Sequence, residues 1–151
     1  MEVKFKVSAY VSRPVREVFE AVADPPQLSS YFTTGGAVGR LEPCTTVQWD
    51  FHDFPGAFPV EVVEVVPGER IVLRWGRREG AEAVGQNTVT FTFAPVDGGT
   101  RTHVTVSEEG WSETQAGLDA AFGNCMGWSQ MLAALKVWVE HRINLREGMY
   151  K

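Results

Sequence analysis

The stretch that most constrains this chain lies near its end, from roughly Glu113 to Ile143. Leu118, Phe122, Cys125, Trp128, Leu132, Leu135, Val139 and Ile143 recur there at three- and four-residue steps, with Met131 and Trp138 widening the stripe. That spacing places them on one broad apolar face of an α-helix. Gly123 and Gly127 weaken the helix locally, but no proline interrupts it. At ~1.5 Å per residue such a helix runs on the order of 45 Å and needs a large apolar partner surface.

The preceding segments supply strands. Val3, Phe5, Val7 and Ala9 alternate with polar residues as a half-buried first strand. Ser12-Arg13-Pro14 then opens a helix, with Ser12 as the expected N-cap and Val15, Val18, Phe19 and Val22 as its apolar face. Asp24-Pro25-Pro26 stops it, and Gln27 to Phe32 add a second short helix. From there to Glu109 the period is mostly two. Val47, Trp49 and Phe51 precede a Pro/Gly-rich turn, Phe54 to Pro59. Val60 to Val66 follow, then Ile71, Leu73 and Trp75, a polar loop (Gly76 to Gln86), Val89, Phe91 and Phe93, a turn at Asp97-Gly98-Gly99, and Thr102, Val104 and Val106. The expected fold is α+β: a curved antiparallel sheet wrapped around a long C-terminal helix, with two short helices after the first strand. No repeat or linker divides residues 1–151, so one domain is expected.

Charge and composition exclude several classes. The net charge is -5 without any Lys/Arg run, which argues against a nucleic-acid partner. The most apolar window, Met131 to Val139, is too short to span a bilayer and contains Lys136. The N-terminal segment carries no apolar signal core, and Cys44 and Cys125 are widely separated, so a reduced, cytoplasmic protein is expected, with Cys125 buried on the helix stripe. His52, His103 and His141 show no metal-ligand spacing, and no GxSxG elbow or phosphate loop is present. No metal and no cofactor are expected.

Three motifs carry a resemblance. Val11-Ser-Arg-Pro14-Val-Arg-Glu-Val18-Phe19 followed by Asp24-Pro25 resembles the opening of the SRPBCC (START/Bet v 1-like) superfamily. Glu64-Val-Val-Pro67-Gly-Glu-Arg70-Ile-Val-Leu-Arg-Trp75 resembles the E-x-x-P-x-x-R-L-x-x-x-W run of the branch related to the activator of Hsp90 ATPase. Gly127-Trp128-Ser-Gln-Met-Leu132-Ala-Ala-Leu135 resembles that branch's GW-x-x-x-L-x-x-L signature. Tyr31-Phe32 stands where members often have Trp-Phe. The resemblance implies the helix-grip fold and a hollow between sheet and helix that often holds an apolar or amphipathic small molecule. It implies no single function, since fold and function separate readily.

Trp49, Phe51, Trp75, Phe91, Phe93, Trp128, Met131 and Leu135 are the candidate lining of that hollow. Close packing of interiors offers the competing reading, in which the same residues simply fill the core. Glu108 shares the inward parity of Val104 and Val106, where it could anchor a ligand's donor or act as a base, against a solvated strand end. Asn124 could offer its amide, and Tyr31 a phenol at the entrance, against a packing role for each. The leading expectation is a small-molecule binding protein without a committed catalytic set. Two alternatives stand beside it: a co-chaperone-like module acting on an Hsp90-type chaperone, and a cyclase/aromatase-type enzyme using the same cavity. The resemblance covers only one of the Hsp90 activator's domains. Val60, Val62 and Val66 on one face of a strand, and Val63 and Val65 on the other, make both faces apolar, which suggests a covering partner such as a second copy of the chain.

Overall fold

The computed structural model describes residues 1–150. Strand β1 (Val3–Val11) is followed by helices α1 (Val15–Ala23) and α2 (Pro25–Tyr31). Six strands come next: β2 (Gly36–Val38), β3 (Thr45–Phe51), β4 (Phe54–Val66), β5 (Arg70–Glu79), β6 (Glu82–Val96) and β7 (Arg101–Trp111). Helix α3 (Gln115–His141) ends the fold. The strands form one antiparallel sheet in the order β1-β7-β6-β5-β4-β3-β2. One face packs on α3 and on the two short helices, which is the helix-grip arrangement expected from the residue pattern.

Two strands reach further than expected. The segment Gly76 to Gln86 is not a loop: β5 and β6 continue as a ladder to Glu79 opposite Glu82, turning over Gly80 and Ala81. Exposure still alternates along β5, with Arg77 and Glu79 half-buried and Arg78 exposed, but the unbroken polar run hid the strands. Phe54 to Pro59 is likewise part of β4, with the turn at His52 and Asp53. The expected cap also differs. Pro14, not Ser12, is the N-cap of α1, and the Ser12 N–H donates instead to the Glu140 carboxylate at 2.8 Å.

The bulge in β4 between Val62 and Glu64 accounts for part of the two-faced apolarity on which the covering-partner expectation rests. Val60 and Val62 face inward opposite Trp75 and Leu73; past the bulge the parity flips, so Val65 packs on the core opposite Ile71. The inward-facing valines thus fall on both parities, and Val63 is left as the exposed one, at 38%.

Helix α3 is capped by the Thr114 hydroxyl, which accepts from the Gly117 N–H at 3.1 Å, and closes in a left-handed turn at Arg142 (φ 58°). Its second half is buried as the stripe requires: Trp128, Met131, Leu132, Leu135 and Val139. Its first half is not. Phe122 is 66% exposed, Cys125 is half-buried, and the small residues Gly117 and Ala121 take the buried positions. Gly117 sits against the connection that leaves β7, where a Cβ would lie 2.0 Å from the Ser112 carbonyl oxygen. Ala121, packed with Val3 and Trp111, takes the sheet-facing position there, and Phe122 points away. Ile143 lies beyond the helix and is exposed. The chain then folds back, and Arg146 reaches Asp53 at 3.0 Å while lying over the rings of Phe51, Phe32 and Tyr150.

Candidate functional site

The parity of β7 carries Thr102, Val104, Val106 and Glu108 to the same inner face, and all four are buried. A carboxylate in that position needs compensation. Four side-chain N–H donors supply it. Trp128 Nε1 donates to Oε1 at 2.8 Å, and Trp75 Nε1 and Asn87 Nδ2 donate to Oε2 at 3.0 and 2.9 Å. Asn124 Nδ2 bridges both oxygens at 3.1 and 3.2 Å. Each donor comes from a different place in the chain: β5, β6, and two positions of α3 one helical turn apart. Glu108 therefore ties the sheet to the helix. The donors are all neutral, and no Lys, Arg or His pairs with Glu108 among the described residues.

A second layer holds the donors. Asn87 Oδ1 accepts from Arg77 Nη1 at 3.2 Å, which orients the amide so that its NH2 faces Glu108. Arg77 also donates to the Val84 carbonyl at 2.6 Å and to the Gly110 carbonyl, and lies 3.0 Å from Glu79. The Ser112 N–H, with the Arg77 guanidinium beside it, holds the Glu79 carboxyl below the usual range against the opposing effect of burial. Gly110 makes this possible: its φ is 115°, and a Cβ there would stand 2.7 Å from Asn87 Oδ1.

Glu108 and Asn124 lie at the inner end of a cleft of about 810 Å³. Phe51, Phe54, Phe58, Trp75 and Trp111 form its aromatic walls, and Arg77 and Arg78 stand toward the β5–β6 hairpin. Trp75 packs 6.0 Å from both Trp49 and Phe58 and 5.4 Å from Trp128, centroid to centroid, so its ring is fixed.

Of the residues expected to line a hollow, Phe51, Trp75, Glu108 and Asn124 meet at this cleft. Trp49, Phe91, Phe93, Trp128, Met131 and Leu135 do not: they are buried in the packed core behind it, where close packing leaves them no open face. Tyr31 is not at an entrance. It is fully buried, its hydroxyl donates to the Ala21 carbonyl at 2.9 Å, and burial pushes its phenol well above the ordinary value. Sequence reasoning missed Phe54, Phe58 and Trp111 on the walls, and Asn87 and Arg77 behind Glu108. A signal existed for two of them, since Asn87 has the inward parity of Val89, and Arg77 that of Trp75.

A second recess of about 640 Å³ lies where the C-terminal tail returns, among His52, Asp53, Arg146 and Tyr150. No helix among the described residues is long and apolar enough to cross a membrane.

Comparison with known proteins places the architecture. Protein SSP2350 from Staphylococcus saprophyticus is similar at a TM-score of 0.78 and 24% identity, covering 95% of this chain and 96% of that one. DynU16, a protein of the dynemicin biosynthetic locus, is similar at 0.76 and 26% identity over 92% of this chain and 48% of that one. The Aha1 dimer from Colwellia psychrerythraea matches at 0.76 and 17% identity, over 92% of this chain and 97% of that one. No curated protein matches by sequence. The family model described as Activator of Hsp90 ATPase homolog 1-like protein matches residues 12–140, nearly the whole of the fold from α1 to the end of α3. This chain belongs to the family of activator of Hsp90 ATPase homolog 1-like proteins.

Proposed function

We propose that this protein binds a small amphipathic molecule in the cleft between its sheet and the first half of α3, without a committed catalytic set. The observation that carries the reading is the buried Glu108 carboxylate, held by four neutral donors at the inner end of an aromatic-walled cleft. About 810 Å³ is within the usual range for a small-molecule site, and rigid rings with a few polar groups at one end suit a ligand that is apolar with one polar head. A base would need an accessible lone pair, whereas both oxygens of Glu108 already accept two or more N–H groups. That favours binding over a cyclase-type reaction. Native mass spectrometry of gently purified protein tests the reading. A co-purifying mass that leaves on denaturation, and is absent from Trp75→Ala, supports it; a mass retained equally by Trp75→Ala places the ligand elsewhere.

The second reading is a co-chaperone-like interaction module. The family description supports it, and so do the exposed Phe122 (66%) and Met126 (56%), one turn apart on α3. A change in the ATPase rate of an Hsp90-type chaperone on mixing, lost in Phe122→Ser, would favour that reading.

A further inference from the structure

The groups around Glu108 also dictate what the cleft presents to a ligand. A carboxylate oxygen of Glu108 only accepts, so Asn124 can face it only through its NH2 group. Both of its contacts to Glu108, at 3.1 and 3.2 Å, are made by Nδ2. Asn87 is turned the same way, and its Oδ1 is taken by Arg77. Asn124 Oδ1 has no such partner among the described residues, and Asn124 lies on the cleft wall whereas Asn87 is buried behind it. The cleft's inner end therefore offers an acceptor whose direction is set by a negative charge one amide away.

We propose that this end reads a hydrogen-bond donor, and that the ligand class is an amphiphile entering with a protonated amine first. The proposal rests on the binding reading above and names the chemistry of the head group. Three features converge on it. Asn124 Oδ1 accepts, the Glu108 charge behind it has no cationic partner, and the ring of Trp75 stands beside both with a face that attracts cations. At this inner end an anionic head finds no free cation among the described residues, and Arg78, which has no carboxylate partner among them, stands toward the β5–β6 hairpin instead. Arg77 is engaged by Glu79, Asn87 and two backbone carbonyls, Arg74 lies 3.8 Å from Glu61, and Arg78 donates to the Ala81 carbonyl. The N–H of wall residue Trp111, Nε1, has no hydrogen-bond acceptor among the described residues but is itself sealed from solvent.

Titration calorimetry at neutral pH with three matched probes tests the proposal: 1-naphthylmethylamine, 1-naphthalenemethanol and 1-naphthoate. The amine binds tightest, the alcohol next, and the naphthoate weakest, roughly tenfold or more below the amine. Glu108→Gln lowers the amine's affinity by about tenfold or more and abolishes its advantage over the alcohol, because the charge is gone and Asn124 can turn its NH2 toward the ligand. Should Glu108→Gln fail to fold, the ranking on the unaltered protein decides by itself. Naphthoate or alcohol binding as tightly as the amine overturns the proposal and leaves the amphiphile reading standing. Failure of all three to bind overturns both.

Discussion

Replacing Glu108 by Gln changes one atom's chemistry and keeps the side chain's shape, so its cost can be worked from the geometry. Oε1 accepts from Trp128 and Asn124, and Oε2 from Asn87, Trp75 and Asn124. Gln offers one oxygen. The least damaging orientation keeps that oxygen toward Asn87 and Trp75 and turns the new NH2 toward Trp128 and Asn124. Asn124 can flip to accept from it, but Trp128 Nε1 can only donate and is left unpaired inside the core. A buried donor without an acceptor costs about 1–3 kcal/mol, and losing the charge weakens the remaining bonds by a further fraction of that. Relief of the buried charge offsets part of the sum. The expected loss is about 2–4 kcal/mol, a large share of the ~5–15 kcal/mol typical of a folded protein. Urea unfolding followed by far-UV circular dichroism reads it as a midpoint about 1–2 M lower with an unchanged slope. Trp128→Phe alone costs about 1–3 kcal/mol, and less in the Gln background, where its donor has already lost its acceptor. A Gln variant as stable as the unaltered protein, or full additivity of the two changes, would refute the idea that Glu108 joins sheet to helix.

Four further outcomes follow from other parts of the fold. Gly117→Ala forces a Cβ against the Ser112 carbonyl oxygen, 2.0 Å away, and should lower stability by about 1–3 kcal/mol in thermal unfolding despite alanine's better helix propensity. Phe122→Ser should change stability by no more than about 0.5 kcal/mol, since the ring is 66% exposed; a larger loss would mean that the stripe extends into the first half of α3 after all. Arg146→Ala leaves Asp53, whose side chain is 10% exposed, without its cation, and should cost about 1–3 kcal/mol, with faster hydrogen exchange in the returning tail. Burial pushes the Glu140 carboxyl up, but the Lys136 ammonium, the Ser12 N–H and the charge of His141 together hold it below 4.5. Its contribution is therefore complete above the unfolded carboxyl's range and is lost as pH falls through the lower folded value, so Glu140→Gln should flatten the acid limb of the stability profile below about pH 4.5.

The order of elements was legible because each rests on a local period: two along β1, β3 and β7, and three to four along α3. The regular parity of β7 also brought Glu108 to the inside. What parity could not supply was compensation, because the donors that make a buried carboxylate tolerable come from residues 75, 87, 124 and 128, far apart in sequence. The bulge at Val63 was equally hidden, since an extra residue in one strand is defined by its partner strand. A valine-rich strand then reads as apolar on both faces although Val60, Val62 and Val65 share the core side. Phe122 illustrates the opposite error. Periodicity assigned it to the buried face, but at that end the face is taken by Ala121, packed with Val3 and Trp111. The walls at Phe54 and Phe58 were lost to the local Pro-Gly composition, which resembles a turn until the pairing of Trp49 with Phe58 is seen.

The five tryptophans allow the most direct test of the cleft. Each indole N–H gives one resonance in a nitrogen-15 correlation spectrum, assignable by single Trp→Phe changes. Titration with 1-naphthylmethylamine should move the resonances of Trp75 and Trp111 on the walls and that of Trp128 through Glu108, while Trp138, whose Nε1 donates to Gln27 at 3.2 Å away from the cleft, stays still. Shifts confined to Trp138, or no indole shift at saturating ligand, would contradict binding at this site.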